Sequence, residues 1–133
     1  MPSENLYIND QLCAVIITLN DRIESTEFFT NGDSILEVGQ IALNNEKKVL
    51  AHRHLPVLRQ ITGTNEVLVV LKGKMKMHLF GDGNVIEVTK EIFESQAVLL
   101  VSGGHSFEAD EECKILEIKN GPFFAHGDKE YLL

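Results

Sequence analysis

The sequence has few basic residues and no long apolar run, and each scarcity narrows the classes of function. Lys and Arg together number 12 against 20 Asp and Glu in 133 residues, so the net charge is −8. Nucleic-acid backbones and anionic membranes attract basic surfaces, so we expect neither as a partner. No apolar stretch approaches the ~20 residues of a membrane-spanning helix. Hydrophobic residues make up 44% of the chain and charged residues 24%, which is the composition of a globular domain.

The chain also lacks a leader pattern and any cysteine motif. Its first residues, MPSENLYINDQ, contain no basic stretch followed by an apolar run, so we expect no secretory signal. The two cysteines, Cys13 and Cys113, form no CxxC. Isolated thiols without a leader are typical of a reducing compartment, so the sequence predicts a cytoplasmic protein.

Helical periodicity is scarce, whereas strand-like runs separated by turn residues recur along the chain. These runs are LCAVIITL, SILEVGQIAL, EVLVVLKGKMKMHLF, VIEVT, AVLLVS, HSFEA and CKILEIKNG. The segment GDGN (81–84) predicts a tight hairpin turn, because Asp and Gly supply the φ angles that such turns need. The pattern predicts an all-β chain forming an antiparallel sandwich or barrel. We expect a single domain over 1–133, with its core at about 12–120. The tail, 121–133, would pack across the outside of the barrel or onto a partner subunit.

Three histidines and one glutamate are the residues best placed for chemistry. His52 and His54 lie two apart, so on a strand their side chains project from the same face. Glu66 opens the run EVLVVLKG, and His105 follows a Gly-Gly turn at the start of another strand. Imidazole nitrogens and carboxylate oxygens both bind divalent transition metals, so the four form a candidate ligand set with positions left for water or substrate.

These motifs occur in an order that resembles the cupins. HRH (52–54) and EVLVVLKG (66–73) resemble the first cupin motif, and LVSGGH (100–105) resembles the second. GTNEVL, SGGH and KNGPF also look like segments of a subgroup of small bacterial cupins. The resemblance implies a double-stranded β-helix (jelly-roll) barrel, commonly a homodimer. It further implies one divalent transition metal ion (Fe, Mn, Ni or Zn) in the barrel mouth, held by His52, His54, Glu66 and His105.

The chain departs from the cupin pattern at several positions. Leu100 and Ser102 stand where the second motif usually has proline and glycine, and Ala109 replaces an asparagine. Eleven residues separate His54 from Glu66, which is more than the family usually has.

The long spacing raises a question of distance. If the strand simply continued past His54 and turned back, Glu66 would lie about 20 Å from it, at ~3.4 Å per residue. Pro56 argues against such a strand, because proline cannot donate to a β-ladder. We therefore predict that 55–65 is an irregular excursion over the barrel mouth that returns Glu66 to His54. Continuous pairing would instead leave Gln60 as the oxygen ligand.

Two cationic residues are candidates for substrate binding. Arg59 lies in the predicted excursion and could bind a carboxylate or phosphate through a bidentate contact. Lys119 shares a strand face with Glu117, so both could line the barrel lumen.

Several functions remain open. The first is a metalloenzyme acting on a small polar or anionic metabolite, such as an activated sugar, by isomerisation, epimerisation or oxygen-dependent cleavage. Its metal would polarise a carbonyl or activate water or dioxygen. The second is a non-catalytic sugar- or metabolite-binding cupin, which a lumen filled by Met75, Met77 or Phe107 would favour. The third is a metal-free acid/base enzyme, which needs a His–carboxylate pair and a lumenal tyrosine.

Overall fold

A computed structural model describes residues 3–132, and this part of the chain contains ten β-strands and no helix. The strands are Ser3–Ile8 (β1), Gln11–Thr18 (β2), Glu27–Phe28 (β3), Gly39–Gln40 (β4), Glu66–Lys72 (β5), Lys74–Phe80 (β6), Ile86–Phe93 (β7), Gln96–Leu100 (β8), Gly104–Glu108 (β9) and Lys114–Lys119 (β10). The prediction of an all-β chain is confirmed. These residues therefore contain no helix that could cross a membrane.

The strands form three antiparallel sheets. The largest has the order β1-β2-β8-β5-β10, the second has the order β7-β6-β9, and β3 pairs with β4 in a short ribbon. The sheets do not close into a barrel, because β9 and β10 each have one hydrogen-bonded neighbour. Residues 3–132 therefore do not form the closed barrel that the resemblance to the cupins implied.

Two tight turns follow directly from local residue choice. Asn9 and Asp10 have φ angles of 51° and 65° between β1 and β2. Positive φ at both central residues is the requirement of a two-residue type I′ hairpin, and Asn and Asp tolerate it best. The predicted GDGN turn (81–84) is confirmed, since it lies between β6 and β7.

The main core lies between the two larger sheets. Met75, Met77 and Leu79 alternate along β6 and are almost fully buried. They pack in one cluster with residues of the five-stranded sheet, including Leu68 and Val98. The strict alternation in KMKMHLF thus reflects a sheet with one buried face.

A second apolar cluster covers the other face of the five-stranded sheet. Val15, Ile17, Val67, Ala97 and Leu99 form its buried part, and the segment 19–40 covers them with Phe29, Leu36 and Val38. Burial on both faces explains why β2 and β8 are continuous apolar runs without alternation. The run SILEVGQIAL was predicted as a strand, but only Gly39–Gln40 within it is one.

Candidate functional site

A cavity of about 720 Å³ opens at one end of the sandwich. Strands β5, β9 and β10 supply its polar wall, and residues 128–132 line its rim. The wall residues from the strands include Glu66, His105, Phe107, Glu117 and Lys119. The cavity therefore contains Glu66, His105 and Lys119, three of the residues singled out from the sequence.

Strand register explains why these side chains meet. Glu66 pairs with Leu100 and with Lys119, and Leu100 belongs to the main core. His105 lies opposite Leu79, another core residue. Directly paired residues share a face of the sheet, so all of these side chains project between the two sheets. The polar ones come at strand ends, where the sandwich opens.

Glu66 and His105 form the closest acidic–basic pair of the cavity wall. Oε2 of Glu66 lies 3.4 Å from Nε2 of His105, and the two side chains are 13% and 32% exposed. The ring of Phe107 stacks at a tilt on the imidazole, with centroids 5.2 Å apart. A carboxylate beside an imidazole can pass a proton to a bound ligand or contribute two metal donors.

Two asparagines tie the strands of this wall together. Asn65 is buried, and its side chain donates to the carbonyl of Val101 at 3.2 Å. Its backbone N–H donates to Oδ1 of Asn120 at 2.8 Å, and Nδ2 of Asn120 donates to the carbonyl of Gly63 at 3.2 Å. These hydrogen bonds of Asn65 and Asn120, which we call the clamp, fix the start of β5 against the end of β10. They therefore position Glu66. Sequence reasoning missed both asparagines, although each lies in a motif, GTN or KNG, at a strand end.

The C-terminal tail lies at the cavity mouth. Residues 128–132 line it, and the side chain of Leu132 packs against Gly104. Tyr131 is among the lining residues and is largely exposed. The tail was expected across the outside of the barrel or on a partner, but its last described residues border the cavity.

The other predicted ligands lie elsewhere in the chain. Residues 43–64, which we call the arm, are exposed at every position and contain His52, His54 and Arg59. The two imidazole rings are 5.1 Å apart at an angle of 68°, and Nδ1 of His52 is 2.7 Å from the carbonyl oxygen of Leu50.

The arm does not bring its histidines to the cavity of the same chain. The stretch 55–65 is irregular, as predicted, but residues 55–62 do not line the cavity, so the expected excursion over the mouth is not observed. Among residues 3–132, no three His, Cys, Asp or Glu side chains converge as metal ligands. In one chain the four predicted ligands thus form two separate pairs, Glu66 with His105 and His52 with His54.

The deep end of the space between the sheets is filled. Met75 and Met77 are buried in the main core, and Phe107 packs against that core. The cavity is therefore confined to the mouth.

Comparisons of the chain with protein-family models, with curated proteins and with solved structures found no match.

Proposed function

We propose that this chain is a small cupin whose cavity binds a small polar or anionic metabolite, such as an activated sugar. The observation that carries the proposal is the Glu66–His105 pair, 3.4 Å apart on the wall of a cavity of about 720 Å³. Pockets of this volume are typical of small-molecule sites, which combine an apolar lining with a few convergent polar groups. Two antiparallel sheets packed face to face support the jelly-roll assignment.

The anionic part of the ligand would bind at Lys119. Its ammonium lies 5.6 Å from the centre of the Phe123 ring, a cation–π distance that favours this position of the side chain. Lys119 is paired with Glu66 across β10 and β5, so a ligand held by the ammonium would reach the Glu66–His105 pair. Arg59 would add a second contact only when the arm approaches a cavity.

The metal in this proposal is one divalent transition ion, Fe, Mn, Ni or Zn, bound by His52, His54, Glu66 and His105. Within one chain these residues do not fit an ion, because they form two separate pairs. A complete ligand set requires an arm at the cavity mouth.

Metal content tests this part directly. We would measure metal per chain by plasma mass spectrometry on untagged protein, comparing wild type with His54→Ala and Glu66→Ala. His126→Ala is the matched control, because His126 is an exposed histidine of the tail. We expect about one ion per chain in wild type and in the control, and a loss in both ligand variants. If Glu66→Ala retains its metal, the oxygen ligand is Gln60 or water and not Glu66. No ion in wild type after reconstitution would contradict metal binding.

A second candidate is metal-free proton transfer. Tyr131 borders the same cavity as the Glu66–His105 pair, so it is the candidate for the tyrosine that such an enzyme requires, although its side chain is largely exposed. Hydrogen–deuterium exchange into a sugar-nucleotide ligand, followed by NMR in chelator-treated protein, tests it. Exchange lost in both His105→Ala and Tyr131→Phe supports this candidate, and exchange that needs added metal contradicts it.

A non-catalytic binding protein is the third candidate, and the buried Met75 and Met77 favour it. Under this candidate, ligands bind to the protein and are recovered unchanged, with or without metal.

A further inference from the structure

A second cavity, of about 310 Å³, lies beside the first. Most of its lining comes from the residues that end and follow β10, and the rest comes from the end of the arm and from the tail. Four residues line both cavities: Gly63, Thr64, Lys119 and Asp128. The two cavities are therefore adjacent, and a single ligand can extend from one into the other.

Two phenylalanines give the second cavity an aromatic surface. Phe123 and Phe124 both line it, and their side chains are 71% and 61% exposed. Pro122 and Ile61 add aliphatic surface beside them. Single exposed apolar residues are common on proteins, whereas apolar and aromatic residues grouped in one concave site are typical of ligand binding. Because aromatic rings stack on one another in offset or edge-to-face arrangements, this surface fits a planar aromatic group.

Lys119 is the cation of the wall that the two cavities share. Its ammonium lies 5.6 Å from the centre of the Phe123 ring. Among residues 3–132, no carboxylate lies within 4.0 Å of this ammonium. Glu66 is paired with Lys119 across the strands, but its carboxylate lies against His105. The charge of a half-buried Lys119 is thus available to an anion from outside the chain.

Asp128 is the second charged residue of the shared wall. Its carboxylate forms no ion pair with any cation of residues 3–132. An ionised carboxylate only accepts hydrogen bonds, so the group that it binds must be an O–H or N–H donor. The shared wall therefore favours a ligand whose anionic group has a hydrogen-bond donor close to it.

We propose that the second cavity is a binding subsite for a planar aromatic ring. The ligand is then an anionic metabolite whose ring lies against Phe123 and Phe124 while its anionic group binds to Lys119. The inference rests on the proposed function for the anion and for the polar end of the ligand, which reaches the Glu66–His105 pair in the first cavity. Ring, anion and polar end thus occupy the second cavity, the shared wall and the first cavity in that order.

The arm borders the second cavity without filling it. It contributes Ile61, Gly63 and Thr64 to the lining, yet both phenylalanine rings beside them stay more than half exposed. None of these three arm residues is charged, so they also leave Lys119 without an anion. A ligand that has both a ring and an anionic group satisfies the two features that the arm leaves open.

Two small phosphates test the subsite without knowledge of the natural ligand. Phenyl phosphate and methyl phosphate have the same anionic group, and only the first has an aromatic ring. Their dissociation constants are measured by NMR titration of protein labelled with nitrogen-15. We expect both to shift the backbone amide signal of Lys119, and only phenyl phosphate to shift those of Phe123 and Phe124 strongly. Phenyl phosphate should bind about tenfold more tightly, because stacking on aromatic side chains contributes a gain of that order.

Phe123→Leu/Phe124→Leu removes both rings and keeps apolar side chains in their place. The two phosphates are compared within each protein, so any movement of Lys119 affects both equally. We expect the affinity ratio to fall from about ten to about two in this variant. Phe93→Leu is the matched control, because Phe93 is an exposed phenylalanine of β7 that lines neither cavity, and its ratio should stay at about ten. All of these side chains are exposed, so we expect each variant to keep the fold.

The outcomes separate the subsite from the proposed function. Equal affinities in wild type, or an unchanged ratio in the double phenylalanine variant, would overturn the subsite and show that the rings serve another occupant. The anion site of the proposed function would still stand in that case, provided that Lys119→Gln weakens both phosphates about tenfold. If neither phosphate binds to wild type, the anion site and the subsite built on it both fail.

Discussion

Replacing Asn120 with alanine should loosen the cavity wall where the start of β5 meets the end of β10. The substitution removes Oδ1, which accepts from the buried N–H of Asn65, and Nδ2, which donates to the carbonyl of Gly63. Both bonds cross between the start of β5 and the end of β10. Their loss would free the residue that precedes Glu66 and the glycine at which the arm ends.

The two bonds have different weights. Asn65 is 3% exposed, so its N–H would lose its partner in a place that water reaches poorly, at a cost of about 2 kcal/mol. The carbonyl of Gly63 is exposed and can bond to water, so its loss costs about 0.5 kcal/mol. We expect Asn120→Ala to lower the free energy of unfolding by about 2.5 kcal/mol, and the melting temperature by about 10 °C for a domain of this size.

Urea unfolding followed by circular dichroism measures this difference. Asn120→Asp keeps an acceptor for Asn65 and should lose less than about 1 kcal/mol. Asn5→Ala, at an exposed asparagine whose side chain donates to the Tyr7 hydroxyl, should change stability by less than about 0.5 kcal/mol. A loss below about 0.5 kcal/mol in Asn120→Ala would refute the clamp and its effect on Glu66.

Two further predictions concern the loop over the large sheet and the core. Thr30 and two backbone N–H groups hydrogen-bond the Glu37 carboxylate and lower its pKa from the ordinary 4.5. The ionised carboxylate thus stabilises the fold above pH 4.5. Glu37→Gln should therefore have a lower free energy of unfolding than wild type at neutral pH, and the difference should shrink as the pH falls below 4.5. Urea unfolding at both pH values measures this difference. Met77→Ala removes a fully buried side chain and should cost about 2–5 kcal/mol, whereas Met77→Leu should cost less than about 1.5, as measured by thermal unfolding.

Much of the fold could be predicted because the strands show strong local patterns. The alternation in KMKMHLF and the GDGN turn predicted β6 and its hairpin with β7. Glu66 begins β5 and His105 lies in β9 after a Gly-Gly turn, also as predicted. Strand β1 was missed, although the Asn9–Asp10 pair at its end is a hairpin signal.

The remainder depends on contacts that local patterns do not report. Leu36 and Val38 alternate like strand residues, but they pack on the outer face of the large sheet from a loop. The approach of Glu66 to His105 could be inferred from motif order, whereas the place of the arm could not. Its aliphatic residues fit a strand equally well whether the neighbouring strand belongs to the same chain or to another.

The strand order of the large sheet also determines how the chain can fold. Strand β2 pairs with β8, and Thr18 and Gln96 in this pair are 78 positions apart. Closing so long a loop costs entropy before any contact compensates for it, whereas the β6–β7 hairpin needs only a short turn. We therefore expect the hairpin to form early and the β2–β8 pairing to limit the folding rate. Until that pairing forms, the apolar face of the hairpin stays open to water, so dilute protein should refold with the better yield.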